Sequence, residues 1–413
     1  MNDEQASIQI VRNMTLKLFL TSKGVLYLSC FSLCIFLLFV FFTGPIYTID
    51  TQSYQRWADL LIANDFNLRA FFNEVGSIRI PRILFYSLVA FLRLGFGEYW
   101  SYGLVTLNCL GLSLTGYFLM KMLQTNKAGF LEILLVFLVT LFLYERIFWI
   151  RYLLSDTIFC LITTGLFYSL YLMVIRKKNS IIALTIPLCI FCVAFFYRPT
   201  TIILIPMLFA ASLIAYQGQH RVLVTQYFFA LMFVLGCAIL IGWAWYINQP
   251  NLWEGNLFSK PISRFYHWFY EGAVIKKRPH TYMATPESTL DIVLIELARL
   301  IQFFRFTTPM FSPIHNIVNA ISFIPLYCLA AVGVWRTIIL LYRGRQIDSI
   351  GILSIVFIGS AAIFHSMTLI DYDWRYRLPC YPPIFLLAAG GVTLLKEKCR
   401  FCGCTPSKDM KPN

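Results

Sequence analysis

Apolar residues fall in long runs separated by short basic connections, and this alternation predicts most of the fold. The runs at 24–43, 101–120, 128–145, 155–174, 180–197, 199–216, 222–245, 317–341, 349–368 and 378–395 are almost wholly hydrophobic. About 20 such residues cross a bilayer as a helix, so each run reads as a span. The stretch Arg79 to Arg93 differs, because its uninterrupted apolar core, Ile83 to Leu92, is too short to cross comfortably. Counted as a span it would reverse every later loop, so it reads as a juxtamembrane or re-entrant helix. The expected fold is an all-α polytopic bundle of about ten transmembrane helices, with juxtamembrane helices in the first outer loop.

Two long outer connections remain, about 44–100 and 246–316. Residues 1–23 form a polar cytoplasmic segment, 24–395 a single transmembrane domain, and 396–413 a cytoplasmic tail. In the first loop Asp50, Tyr54 and Ala58 recur at helical spacing, with Trp57 and Leu61 on a neighbouring face. This pattern predicts a short amphipathic helix lying on the membrane.

Composition and charge sharpen the assignment. The chain of 413 residues is 59% hydrophobic and 13% charged, against about 25% charged for a soluble domain. The net charge of +14 comes in small clusters: Lys121 and Lys127, Arg176-Lys177-Lys178, His220-Arg221, Arg343 and Arg345, and Lys396 with Lys398. With the N-terminus cytoplasmic, all of them fall on the inner side, as the positive-inside rule requires. No basic, aromatic-rich polar domain exists to bind nucleic acid. Met1 to Lys23 precedes a full-length span without a small-residue cleavage site, which predicts a retained anchor. The twelve cysteines avoid both long loops, so no extracytoplasmic disulfide framework is expected. Cys399, Cys402 and Cys404 in the tail are open to metal binding or acylation but lack a second ligand pair.

The polar residues with chemical promise gather on the outer face. Asp50 stands where the chain leaves the first span. It is either a helix cap or a carboxylate that activates an acceptor hydroxyl, as general base or metal ligand. Asp156 opens a later span, where the helix dipole favours an acid, with Glu145, Arg146 and Arg151 near enough in sequence to pair among themselves. Arg198 precedes Pro199 at an outward turn, so a cation occupies a helix start that favours anions; a bound phosphate accounts for it, as does simple snorkelling. The last outer connection, Asp371-Tyr372-Asp373-Trp374-Arg375-Tyr376-Arg377, packs arginines among aromatics, and Arg375 or Arg377 suits a second phosphate clamp. His267, in the aromatic run Phe265-Tyr266-His267-Trp268, suits sugar or acceptor contacts. No metal-ligand spacing, P-loop or G-x-G-x-x-G motif occurs.

Four short motifs in order, Asp50 with Tyr54, Leu154-Ser155-Asp156-Thr157, Arg198-Pro199-Thr200, and Arg375-Tyr376 with Pro379 and Pro382, resemble the GT-C superfamily of integral-membrane glycosyltransferases. The likeness runs from Gly44 to Ala389 and is similar to the protein mannosyltransferase and aminoarabinose transferase group. It implies a polyprenyl- or dolichyl-phosphate sugar as donor and a glycolipid, glycan or protein as acceptor. It also implies Asp50 as catalytic base, and Tyr54, Asp156, Arg198, Arg375, Tyr376 and His267 as substrate contacts. No cofactor is required, though a divalent metal is open to the first-loop acid. Many members carry a second adjacent acid there, whereas Asp50 is followed by Thr51. The expected location is a bacterial inner (plasma) membrane, with the active site facing outward.

Two other classes stay open. A lipid-linked glycan polymerase or ligase relies on outer arginines and does not need Asp50. A flippase or secondary transporter places ionisable groups near the midplane and often shows inverted repeats. The charge pattern itself is directly testable: a topology reporter fused after Leu60 is expected outside and one fused after Lys178 inside. The opposite signals would invert the assignment.

Overall fold

The computed structural model describes residues 21–176, 181–217, 289–308, 311–343, 348–367 and 374–401. They are almost entirely helical: α1 (Ser22–Thr43), α2 (Ile49–Ala63), α3 (Leu68–Val75), α4 (Ile83–Phe96), α5 (Trp100–Thr125), α6 (Phe130–Phe142), α7 (Tyr144–Ile150), α8 (Asp156–Arg176), α9 (Ile181–Tyr197), α10 (Ile205–Gln217), α11 (Thr289–Phe304), α12 (Pro313–Tyr342), α13 (Ser349–Met367) and α14 (Tyr381–Phe401). Short 3-10 turns at Ser77–Arg82, Pro199–Leu204 and Trp374–Cys380 lead into α4, α10 and α14. Among the described residues no strand forms beyond one isolated bridge, Ile46 to Tyr152.

Among the described residues six helical stretches are long and apolar enough to cross a membrane, or up to seven if a bent pair is one span. The expected run 128–145 is that pair: Leu143 takes an extended conformation, and α6 and α7 meet at 49°. The expected runs 180–197 and 199–216 are shorter apolar helices, Thr185–Tyr197 and Pro199–Ala215. The run 222–245, most of the second outer loop, residues 1–20 and Cys402 and Cys404 lie outside the described residues.

Polar contacts at the helix ends fix how the bundle is threaded. At the start of α1, Ser22 accepts from Lys121 at 2.5 Å and the Thr21 carbonyl accepts from Gln124 at 2.9 Å, both donors being at the end of α5. Tyr47, just past α1, packs on Trp100 at the start of α5, with ring centroids 6.3 Å apart. The two helices are therefore antiparallel.

Between them α4 has 14 residues, or about 21 Å at the α-helical rise, less than the hydrocarbon thickness. Its first turn places Phe85 4.8 Å from Tyr54 and 5.5 Å from Tyr197. Its last turn places Arg93 over Trp100 at 5.8 Å and against Asp59 at 2.8 Å. Both ends of α4 thus contact groups at the end of the bundle where α1 finishes. The bundle has one end carrying Tyr54, Trp100 and Tyr197, and an opposite end carrying Lys121. At that opposite end Lys396 and Thr393 bind Glu132 at 2.6 and 3.1 Å, and Arg336 and Thr337 bind Asp348 at 2.9 and 3.0 Å.

The closest helix crossing is that of α12 and α14. A side chain at Gly333 would strike the Leu387 carbonyl, and one at Gly391 would strike the Leu329 carbonyl. Small residues let two backbones touch where lipid offers no hydrophobic drive to associate. Substituting Gly391 or Gly333 by leucine is expected to lower thermal stability in detergent by about 1–3 kcal/mol, the cost of overpacking. Gly359→Ala, where nothing lies within 4 Å, should stay near wild type. Equal melting curves for all three would show that the crossing is not tight.

Candidate functional site

The site is assembled on a platform where the segment after α1 meets the segment before α8. The Ile46 N–H donates to the Arg151 carbonyl at 2.8 Å, and the Leu153 N–H donates to the Ile46 carbonyl at 3.2 Å. Arg151 does not pair with a neighbouring acid, as its place in the sequence allowed. Its guanidinium donates to the carbonyls of Gly44 at 2.9 Å and Thr43 at 2.5 Å. A cation there satisfies the open carbonyls and the negative dipole end of α1. Asn108 of α5 adds hydrogen bonds to the carbonyls of Ile150 and Tyr152, at 3.0 and 3.1 Å.

This platform starts α2 and shows that Asp50 is not its cap. The cap is Thr48, not Asp50: the Thr51 N–H donates to its hydroxyl at 3.3 Å, and the Thr48 N–H donates to the Thr51 hydroxyl at 3.0 Å. The reciprocal pair satisfies the open donors of the first turn. The carboxylate of Asp50 is left free of the backbone and 40% exposed at the side chain. Thr51 is fully buried and donates to the Leu153 carbonyl at 3.3 Å. A second acid at this position would be aimed at a carbonyl oxygen.

Arg375 meets Asp50 at 2.5 Å, joining the start of α2 to the turn before α14. Asp156 and Arg198 form a second ion pair, buried between the start of α8 and the end of α9. Tyr376 stands between the two arginines: the Arg375 guanidinium lies 5.0 Å from its ring and donates to its hydroxyl at 3.1 Å, and Arg198 lies 5.4 Å from the same ring. The His365 ring is 5.2 Å from Tyr376.

Tyr54 is 6% exposed and feels Arg82, Asp156, Arg198 and Asp50 together. Burial pushes its phenol above the ordinary value, while Arg82 pulls the other way. Tyr54 is therefore a neutral hydrogen-bonding group at physiological pH, not a base. The structure thus brings five of the six described sequence candidates into one connected cluster, with Tyr54 at its edge. His267 lies outside the described residues, as do Asp371 and Asp373.

A third ion pair was not anticipated from sequence. Arg377 spans both oxygens of Glu145, at 3.3 and 2.5 Å, and donates to the Tyr381 hydroxyl at 2.7 Å and to the Phe303 carbonyl at 3.4 Å. Both side chains are 3% exposed. Arg82, which interacts with Tyr54, Tyr86 and Tyr376, was also missed. Its one sequence signal is the pair of arginines in Arg79-Ile80-Pro81-Arg82.

Among the described residues no group of three or more His, Cys, Asp or Glu side chains gathers that would hold a metal ion. The ionic partner of Asp50 is a guanidinium, so these residues do not fit a divalent cation. No protein-family model, curated protein or solved structure matches the chain.

The buried Glu145–Arg377 pair makes a specific demand. Breaking a buried pair leaves an uncompensated charge and costs about 3–5 kcal/mol, whereas apolar replacement of both partners is often neutral. Glu145→Leu alone should therefore reduce stability by that amount, and adding Arg377→Met should recover most of it. A double variant as unstable as the single would show that the pair is not energetically coupled.

Proposed function

We propose that the chain is a membrane glycosyltransferase of the GT-C kind. It moves a sugar from a polyprenyl-phosphate donor to a glycolipid, glycan or protein acceptor on the extracytoplasmic face of a bacterial inner membrane. One observation carries this: Asp50, Asp156, Arg198, Arg375 and Tyr376, from four separate motifs, meet at one end of the bundle. The finer topology, about ten spans including 222–245 and an outward active end, belongs to the same proposal. So does the assignment of Lys121, Arg343 and Lys396 to the cytoplasmic end.

In this mechanism Asp50 and Arg375 neutralise each other until the donor arrives. The donor phosphate competes for the Arg375 fork, which suits phosphate geometry, and frees the carboxylate toward the acceptor. The acceptor oxygen then attacks the anomeric carbon and its proton passes to Asp50. The bond from that carbon to the phosphate oxygen breaks, and its electron pair leaves with the polyprenyl phosphate. The charge left on the phosphate is stabilised by preorganised arginines in a site partly screened from water. Tyr54 and Tyr376 position sugar hydroxyls or phosphate oxygens through their hydroxyls. Asp156 holds Arg198 in place.

A polymerase or ligase mechanism has one observation in its favour: Arg82 and Arg146 have no carboxylate partner among the described residues, an arginine surplus at this end. Asp50 separates the two readings. Purified protein in nanodiscs with radiolabelled polyprenyl-phosphate sugars and an acceptor extract should transfer label. Asp50→Asn should slow transfer about a hundred- to ten-thousand-fold, the usual worth of a positioned base. Full activity in the variant would point to the arginine mechanism. No transfer by the wild type would point to a transporter.

A further inference from the structure

The mechanism above uses the start of α2 and leaves its second half unassigned. There α2 and α3 form an open-sided cleft of about 410 Å³, lined by Arg56, Trp57, Asp59 and Leu60 from α2 and by Glu74 and Val75 from α3. That volume lies within the range of small-molecule sites. The cleft forms because the chain reverses sharply after α2, where Asp65 and Phe66 take positive φ, at 50° and 59°. A bulky aromatic residue rarely adopts that conformation. Phe66 is braced in it by stacking on Phe91 of α4, with ring centroids 4.9 Å apart.

The polar groups of the cleft are held in place by their neighbours. The Arg56 guanidinium lies over the Trp57 ring at 5.3 Å, and Arg79, in the turn before α4, lies over the same ring at 4.8 Å. Glu74 accepts from the Asn64 side-chain amide at 3.2 Å. Asp59 is held by Arg93 at 2.8 Å, yet its side chain is 49% exposed. Leu60, Ala63 and Val75 add apolar surface. A guanidinium donor and two carboxylate acceptors beside apolar carbon match a sugar ring, whose hydroxyls both give and accept hydrogen bonds. Both signs of charge line the cleft, so a neutral ligand suits it better than an ion. Side chains fixed in advance lower the ordering cost of binding.

The position of the cleft links it to the candidate base. Asp50 and Trp57 are seven residues apart, close to two turns of α2, so they share one strip of the helix about 10 Å apart. We propose that the cleft binds a neutral hexose unit of a glycan acceptor, a sugar unit or two away from the hydroxyl that reacts at Asp50. The acceptor role rests on the transferase reading, whereas the sugar site rests on the cleft itself. The cleft selects the acceptor and takes no part in the chemical step.

The test is a saturation-transfer NMR titration of the full-length protein in nanodiscs. The probes are neutral tetrasaccharides of glucose, galactose, mannose or N-acetylglucosamine, and one of glucuronic acid. The wild type should bind at least one neutral probe. Arg56→Ala and Glu74→Ala should each weaken that binding roughly tenfold, the worth of one charge-assisted hydrogen bond. Ala63→Trp, which fills the cleft without touching a charge, should abolish it. Melting curves identify the folded variants, and should one fail to fold, the other two decide. In the transfer assay the same variants should raise the acceptor KM by a similar factor and leave kcat and the donor KM unchanged. No binding of any neutral probe, binding of the acidic probe alone, or binding that survives the substitutions would overturn the proposal. Transfer with an unaltered acceptor KM in the variants would also overturn it and leave the transferase reading standing. Cleft-dependent sugar binding by a protein that transfers no label would uphold the sugar site and overturn the transferase reading instead.

Discussion

An arginine carried into a low-dielectric interior must meet an anion, and this constraint organises one end of the molecule. The guanidinium cannot discharge itself, and an unpaired buried ion costs several kcal/mol. Three pairs answer the demand, Asp50–Arg375, Asp156–Arg198 and Glu145–Arg377. Each ties segments that are distant along the chain. Together they bind the loop after α1, the start of α8, the end of α9 and the turn before α14 into one layer. Removing any one partner would leave its mate charged and buried or half-buried.

The two ends of the bundle handle charge differently. At the end opposite the cluster, Lys396 is about one-third exposed against a buried Glu132, and its ammonium can reach water along a flexible stem. At the cluster end the arginines are planar, and most are enclosed by aromatic rings: Arg198 by Phe159 and Tyr376, and Arg377 by Phe323 and Tyr381. Aromatic faces hold a cation without consuming its hydrogens, so those hydrogens remain available to oxygen acceptors. The same aromatic enclosure therefore leaves the guanidinium hydrogens directed at the carboxylates that pair with them. An ion pair with a half-exposed carboxylate, such as Asp50–Arg375, is the easiest of the three to exchange. The Glu145–Arg377 pair, enclosed on all sides, is the hardest of the three to exchange.

The platform under the cluster explains why the first loop carries a single acid at this point. Thr51 occupies the position where a second acid would stand, and its hydroxyl completes the cap of α2 while reaching the Leu153 carbonyl. A carboxylate cannot donate that last bond and would meet the carbonyl with repulsion. A threonine at this position is thus a local packing requirement. It leaves Asp50 as a lone acid whose partner is an arginine.

By itself the sequence determined the helical class, the run boundaries of the long spans, and the polar residues that gather at one end. These follow from apolar length and from the period of a helix, which are local properties. It also marked Ile83 to Leu92 as too short a run to cross comfortably, and that segment forms the separate 14-residue helix α4. The tertiary structure decided the partners. Sequence proximity suggested that Glu145, Arg146 and Arg151 would satisfy one another. In the fold Glu145 reaches Arg377, Arg151 reaches the end of α1, and Arg146 points inward against the Phe385 ring. Neighbours on one helix turn point in different directions, so an acid's partner is set by which helix packs opposite it. The cap of α2 stayed open in the sequence for a related reason: Asp50 could cap the helix or stand free of it, and the fold makes Thr48 the cap, with Thr51 held against the distant Leu153. Pairing across hundreds of residues depends on packing, and packing has no local signature in the chain.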